Sequence, residues 1–518
     1  MDIGNNYHTG HLVFEHFKRC PDTVHQIDAA TGDEETYASV LSRSIRLARS
    51  LRSFGLKPGD VLAIGGRNHL DIHIPFYAAL FNGLPIMGVD PFFKYDEICT
   101  LFKKTKPSIA FCQSESIDVY AKAAANLGLD IKLITFDDGE YSLREFIQKY
   151  DNGHPEQDFE VAECDIDRIY VFLISTSGTT GSVKIAAFNH KPFMIKTFME
   201  LHNMQKLRGA RALILSPVHW ISGFFSTTFT PLVGDTMIQT SKPDDPDHII
   251  DIINKYKPAK ALFSPTLMSL LLSRKDEVDL TCFRSICLTG SKIYPDDLKG
   301  FRELLSKDAV AMEAYGQTEM IGPVLTPNAK GPIGNCGCGP LPGYCVKLVD
   351  VDSGTEIKEP NVTGELWVKG LSFKEYYNDP EETALVFSED GYFKTGDLLY
   401  RDENDNYYFV DRIKTLIKYR NSHVLPTEIE QVISSHAGVF AACVAGRRDA
   451  ADGELPAACV VRAPGSAVSA REICDLVASK LSKNKELRGG VVFVDSLPYT
   501  STGKIARGKV KQLIENCK

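Results

Sequence analysis

The stretch Thr176-Ser177-Gly178-Thr179-Thr180-Gly181-Ser182-Val183-Lys184 comes just after the apolar run Ile169-Tyr170-Val171-Phe172-Leu173-Ile174. A run of that length and β-branched content reads as a buried strand, so the chain leaves a sheet into a loop of hydroxyls, glycines and one lysine. Small residues let successive backbone N–H groups converge on phosphate oxygens, the Ser and Thr hydroxyls add donors, and Lys184 brings a point charge. The loop is a candidate polyanion cradle. Alone, a Ser/Gly-rich segment reads better as a flexible surface loop, and its company in the chain has to decide.

Outward from the loop, strand-like runs at 61–64, 109–112, 131–135, 212–215, 261–263 and 285–288 alternate with amphipathic helical candidates such as 37–53 and 248–256. That is the βα alternation of open parallel sheets. Between about Gly343 and Asp411 it gives way to short alternating strands, with a polar turn Asp402-Glu403-Asn404-Asp405-Asn406 between Leu398-Leu399-Tyr400 and Tyr407-Tyr408-Phe409-Val410. After Arg412 the pattern predicts a helix from Thr427, strands near Cys443 and Cys459, a helix from Arg471 and a last helix after Gly503. The expected class is α/β. A large N-terminal domain over 1–411, of doubly wound sheets with a β-rich subdomain at about 343–411, precedes a small mobile α+β C-terminal domain over 412–518.

The 518 residues are 43% hydrophobic and 24% charged, with 58 Lys plus Arg against 67 Asp plus Glu. This is a globular composition whose mild acidic excess gives no support to nucleic-acid or anionic-membrane binding. Met1-Asp2-Ile3-Gly4-Asn5-Asn6-Tyr7-His8 has no cationic stretch followed by an apolar core, and no apolar run approaches membrane-spanning length. A soluble, cytoplasmic protein is expected. Glu515-Asn516-Cys517-Lys518 is not a Ser-Lys-Leu peroxisomal signal. The thirteen cysteines sit among apolar neighbours, which suits reduced core thiols. Cys336-Gly337-Cys338 lacks a second half with ligand spacing and reads as two loop cysteines rather than a metal site.

The cradle lacks the Gly-Lys-Ser/Thr ending of a P-loop. Four further strings follow it in order: Tyr315-Gly316-Gln317-Thr318-Glu319, Thr395-Gly396-Asp397, Asp411-Arg412-Ile413-Lys414 and Thr502-Gly503-Lys504. Together with the loop they resemble the adenylate-forming superfamily of acyl-CoA synthetases, adenylation domains and beetle luciferases, and the resemblance spans nearly the whole chain. Asp411 to Tyr419 is most similar to the 4-coumarate-CoA ligase and luciferase branch.

Making an acyl-adenylate joins an anionic carboxylate to the anionic α-phosphate of ATP, so both partners need charge neutralisation as pyrophosphate leaves. The resemblance implies which residues supply it. The loop from Thr176 through Ser177, Gly178, Thr179, Thr180 and Gly181 to Lys184 would hold the β- and γ-phosphates. Thr318 would donate to the α-phosphate, Glu319 would ligate Mg²⁺, Asp397 would accept from the ribose hydroxyls beside Arg412, and Tyr315 with Gly316 would lie against the adenine. Lys504 would catalyse adenylation, being a lysine on a glycine-hinged loop. Family members use two C-terminal domain orientations, one for adenylation and one that opens a tunnel for the CoA thiol. Lys414 matches the hinge between them, and Lys418 matches a lysine used in the luciferase oxidative half-reaction that CoA ligases share.

The acyl pocket is expected from His219 and Trp220, from Thr289, Gly290 and Ser291, and from Ala314. Relatives commonly carry glycine where this chain has Thr289 and Ala314, so the added volume predicts an aromatic or medium acyl group over a very long one. Val183 and Ile185 replace the usual Pro and Gly around the loop lysine, and Asn421 stands where a glycine usually borders the thiol tunnel. The implied activity is an ATP-dependent carboxylate–CoA ligase using ATP, Mg²⁺ and CoA. The rivals are a luciferase-type oxygenase acting through a luciferyl-adenylate and a non-catalytic acyl or nucleotide binder.

Overall fold

A computed structural model of the chain describes residues 6–177, 183–203, 207–290, 293, 295–420, 422–499 and 504–517, with the backbone alone at 177, 202, 203, 422 and 423. Of the expected site residues, Gly178, Thr179, Thr180, Gly181, Ser291 and Asn421 lie outside the described residues, as does the Ser177 side chain.

The βα alternation becomes two seven-stranded sheets. One runs Val310–Glu313, Ser285–Leu288, Lys260–Phe263, Arg211–Leu213, Thr236–Gln239, Val24–Asp28, Glu34–Thr36, parallel but for the last pair. The other runs Glu375–Tyr376, Val183–Asn189, Tyr170–Ser177, Ile86–Val89, Leu62–Gly65, Ile109–Cys112, Lys132–Thr135, with its first two strands antiparallel additions to a parallel core. Strands buried at every position, such as Ile86–Val89, are covered on both faces, and such strands read as continuous apolar runs. Helices such as Tyr37–Phe54 cover these faces with their apolar stripe and stop at Gly55, whose φ of 111° supplies the left-handed cap.

The opening stretch differs in one respect from its sequence reading. The strand runs on to Ser177, and the chain returns at once as Val183–Asn189, with Thr176 opposite Lys184 and Ser177 opposite Val183. The two strands that flank the cradle are therefore paired antiparallel, and Lys184 stands on the return strand.

A five-stranded antiparallel sheet follows: Glu356–Ile357, Tyr344–Val349, Gly364–Gly370, Phe393–Arg401, Tyr407–Arg412. The last sheet pairs Ser422–Val424, Ile417–Tyr419, Gly453–Arg462 and Val439–Asp449, with Gly490–Phe493 parallel to Gly453–Arg462. Helices Pro426–Ser434 and Ala470–Lys480 bury Ile429, Ile433, Ile473 and Val477 on one of its faces, and Val510 and Ile514 of the final helix cover Cys443 and Cys459 on the other. All thirteen cysteines are free. Among the described residues no helix is long and apolar enough to cross a membrane.

Candidate functional site

Two neighbouring strands of the antiparallel sheet place Asp397 directly opposite Arg412. Arg412 Nε lies 2.9 Å from Asp397 Oδ1, and Tyr315 Oη donates to Oδ2 at 2.8 Å. Gln317 also donates to Asp397, and its Nε2 donates to Thr395 O at 2.9 Å. Although Oδ1 is close to the guanidinium, the orientation makes no hydrogen bond, so a buried carboxylate oxygen keeps acceptor capacity. The Tyr315 phenol is pushed well above its ordinary range by burial and then by the Asp397 charge, which keeps it a donor. Phe409 stacks on Tyr315 with centroids 6.5 Å apart. The next residue has to be small: a Cβ on Gly316 would lie 2.1 Å from Gly322 O across a two-residue hairpin.

That hairpin carries the single 3₁₀ turn Thr318–Met320. Glu319 is buried and accepts from Tyr376 Oη at 2.9 Å, while Thr318 heads the turn at the cleft wall. Lys184 Nζ sits 5.0 Å over the Tyr376 ring and is ion-paired to Glu382. Burial first, and the Glu319 charge second, raise the Tyr376 phenol. The lysine of the cradle and the acid of the turn thus share one tyrosine.

Past the C-terminal sheet, Tyr499 and Ile505 form an isolated antiparallel bridge, with Lys504 next to Ile505. The Lys504 chain enters the same cleft: a Cβ on Gly290 would lie 3.8 Å from Lys504 Cε. Its ammonium is lowered by crowding out of solvent, then by Arg412 and Lys414, against the opposing pull of Asp397 and Glu319. Lys414, on the 3₁₀ turn Ile413–Thr415 just past Arg412, is lowered in the same way. Both remain reachable by water in an open cleft, so these directions describe local crowding rather than a dry interior. Two residues beyond Ile505, Arg507 forms a two-point pair with buried Glu430 at 2.7 and 3.0 Å, fixing the final helix to its sheet.

Lys418 is not part of this group. It stands exposed on Ile417–Tyr419, its N–H donates to Glu454 Oε2 at 3.0 Å, and it borders a separate shallow hollow with Lys414, Leu416 and Gly453.

His219 is buried with Nε2 at 3.6 Å from Asp90 Oδ2, and Nδ1 has no hydrogen-bond partner. Burial pushes it down to about 4 against the opposing Asp90 charge, so the ring is neutral near pH 7. Trp220 packs edge-on against it with centroids 5.9 Å apart and caps helix Ile221–Val233. The segment is held close: a Cβ on Gly88 would lie 2.4 Å from His219 Cα. Thr289 Oγ1 donates to Ala314 O at 2.9 Å, tying together the ends of two parallel strands at the cleft. Thr176, His219, Trp220, Thr289, Gly290, Ala314, Tyr315, Gly316, Lys184 and Lys504 all line one cleft.

Sequence reasoning missed Tyr376, Glu382 and Asp90, whose partners are far away in the chain, and it assigned Gln317 no role although that residue lies inside a quoted string. The buried ligand atoms of His8, Cys164 and His190 lie within 4.8 Å of one another. Gly10 N–H already occupies His8 Nδ1 at 3.1 Å, and His8 Nε2 lies 2.6 Å from Ala162 O, so the cluster is not preformed for a metal.

A family model described as "AMP-binding enzyme" matches residues 13–377, and one described as "AMP-binding enzyme C-terminal domain" matches 428–504. The chain is 28% identical to the luciferin 4-monooxygenase of Photinus pyralis, over 98% of this chain and 94% of the relative. It is 29% identical to 4-coumarate–CoA ligase 3 of Oryza sativa subsp. japonica, over 93% and 87%. Among solved structures, ATP-bound MatB from Rhodopseudomonas palustris superposes with a TM-score of 0.87 at 25% identity, over 98% of this chain and 99% of that one.

Proposed function

This chain belongs to the AMP-binding enzyme family, and we propose that within it the protein is an ATP-dependent carboxylate–CoA ligase acting on an aromatic or medium-length acid. In the first step a carboxylate oxygen attacks the α-phosphorus of ATP, the bond to the bridging oxygen breaks, and pyrophosphate departs. In the second the CoA sulfur attacks the acyl carbon and AMP departs with the electron pair. The observation that carries this reading is Lys504 in the cleft beside Gly290, amid Arg412, Asp397 and Glu319. A unit charge at 4 Å is worth about 4 kcal/mol at an effective dielectric of 20, enough to steer an anionic attack.

The other groups divide the remaining work. Asp397 Oδ1 is available to ribose hydroxyls, Tyr315 and Phe409 offer an aromatic wall, and Thr318 is the donor for the α-phosphate. Lys184 meets the departing phosphates. The single buried carboxylate of Glu319 suits Mg²⁺, which takes one or two protein carboxylates together with phosphate oxygens and water. When bound, that ion would neutralise phosphate charge. His219, neutral and immobilised, closes the acyl pocket. Lys414 serves as the hinge, and Lys418, on the outer side of that turn, is the residue a second orientation would bring inward.

The test is pyrophosphate release over a panel of carboxylic acids, with and without CoA. Release that depends on acid and yields a thioester with CoA is the expected result. No release with any acid would leave a binder, and light from a luciferin with ATP and oxygen would favour the oxygenase, whose relatives are equally similar in sequence.

A further inference from the structure

The hairpin that carries Thr318 and Glu319 is strained. Its chain turns back at Ile321, whose φ of 56° lies in the left-handed region, and among the described residues no other β-branched residue adopts it. Ile321 is also buried, at the end of the 3₁₀ turn Thr318–Met320. Such a conformation persists only where its surroundings over-determine it, so whatever restrains this turn also sets the two groups it carries.

Three separate elements supply the restraint, each through a backbone carbonyl. Phe373 N–H donates to Glu319 O at 2.7 Å, and Tyr344 Oη donates to Met320 O at 2.9 Å. On the other side of Ile321, Lys196 Nζ donates to Pro323 O at 2.6 Å, where Pro323 pairs with Gly316 and closes the hairpin. Lys196, on helix His190–Asn203, has a side chain only 1% exposed and lies 5.1 Å over the Tyr344 ring. Glu200, one turn on, stands 3.8 Å from the same ammonium. Burial lowers that ammonium, against the pull of Glu200. Burial likewise raises the Tyr344 phenol, which keeps it a donor. A charged donor holds a carbonyl more firmly than a neutral one, and this one is spent on the protein's own backbone.

We propose that Lys196 and Tyr344 are positioning residues for adenylation, clamping the two limbs of the strained turn at Ile321 so that Thr318 and Glu319 keep their places for the phosphates and Mg²⁺ of bound ATP. This rests on the roles given to Thr318 and Glu319 above. Neither clamp residue touches the reacting atoms. Without the ammonium, Pro323 O loses its partner, Ile321 relaxes out of the left-handed region, and the turn moves Thr318 and Glu319 with it.

The test uses the full chain with Lys196→Met, which keeps an unbranched stem and removes the charge, and with Tyr344→Phe, which removes only a hydroxyl. Calorimetry in the presence of Mg²⁺ reads the affinity of a non-hydrolysable ATP analogue and, separately, of adenosine, which lacks every phosphate. Lys196→Met should bind the analogue about ten- to hundredfold more weakly, the usual loss when an outer support of a metal site is removed. Tyr344→Phe should lose about fivefold, as for one neutral hydrogen bond. Both variants should bind adenosine as the unmodified protein does. In acid-dependent pyrophosphate release kcat should fall by a similar factor, with the KM for the acid unchanged. Unaltered analogue affinity in the folded variants, no analogue binding by the unmodified protein, or equal weakening of adenosine and analogue would overturn the clamp, the last being what a general loosening of the fold produces. Tyr344→Phe alone decides if the methionine variant does not fold. Selective weakening of the analogue in a protein that releases no pyrophosphate with any acid would sink the ligase reading and leave this one standing; release at full kcat in both folded variants would do the reverse.

Discussion

Lys504 and Lys184 face one cleft with different partners, and single substitutions separate their roles. Lys504→Met removes a positioned charge, so acid-dependent pyrophosphate release should fall roughly 100- to 1000-fold. Thioester formation from a preformed acyl-adenylate should fall much less, and equal losses in the two assays would reject the assignment. Lys184 is held by Glu382 in this structure. A triphosphate has to displace that carboxylate, so Glu382→Gln should lower the KM for ATP. The pair is partly exposed, which limits the gain to no more than about fivefold, and a raised KM would instead make Glu382 part of the phosphate site. Thr289 and Ala314 offer a third test. Thr289→Gly with Ala314→Gly removes two side chains and the bond from Thr289 Oγ1 to Ala314 O; acceptance should move to longer acids across a chain-length panel, and an unchanged profile would sink the volume argument.

At the scale of elements, the close approach of the strand Ile86–Val89 to the His219 segment makes a sharp prediction. With only 2.4 Å between an added Cβ and His219 Cα, Gly88→Ala has to displace backbone. It should cost about 1–3 kcal/mol and lower both the melting temperature and turnover, whereas full activity at an unchanged melting temperature would show that the His219 segment tolerates movement. Other parallel strands show what could be read in advance. Ile109–Cys112 and Ser285–Leu288 appear where the apolar runs put them; the first is buried along its whole length, and a strand covered on both faces leaves such a local signature. Val183–Asn189 was not separable from the loop, since its pairing to Tyr170–Ser177 depends on a turn rather than on periodicity. The site divides in the same manner. Tyr315, Glu319, Asp397 and Lys504 were legible as short strings with a chemical reason. Tyr376 with Glu319, and Glu382 with Lys184, were not, because 57 and 198 residues separate the partners and only the fold brings them together.

For the whole molecule, burial of neutral histidines sets the response to acid. His8 and His219 are pushed down to about 4 and His25 to about 3, in each case first by burial, against an ordinary value of 6.5. Between pH 6.5 and those values the unfolded chain binds protons that the folded chain refuses, so stability falls as pH falls. By pH 4 each site has given up about 3 kcal/mol, and the melting temperature should drop steeply from pH 6.5 toward 4. His219→Gln should flatten part of that slope; an unaltered slope would place the acid sensitivity elsewhere. On the second scale of motion, Arg412 is at once the cross-strand partner of Asp397 and the residue that opens the turn bearing Lys414. With Lys414 as the proposed hinge, a pivot there would leave Asp397 and Arg412 on the stationary side while Lys504 would be carried away. The activated acid would therefore stay tethered by its nucleotide through the exchange, and the enzyme would be economical with its intermediate: little acyl-adenylate should escape to hydrolysis between the two half-reactions.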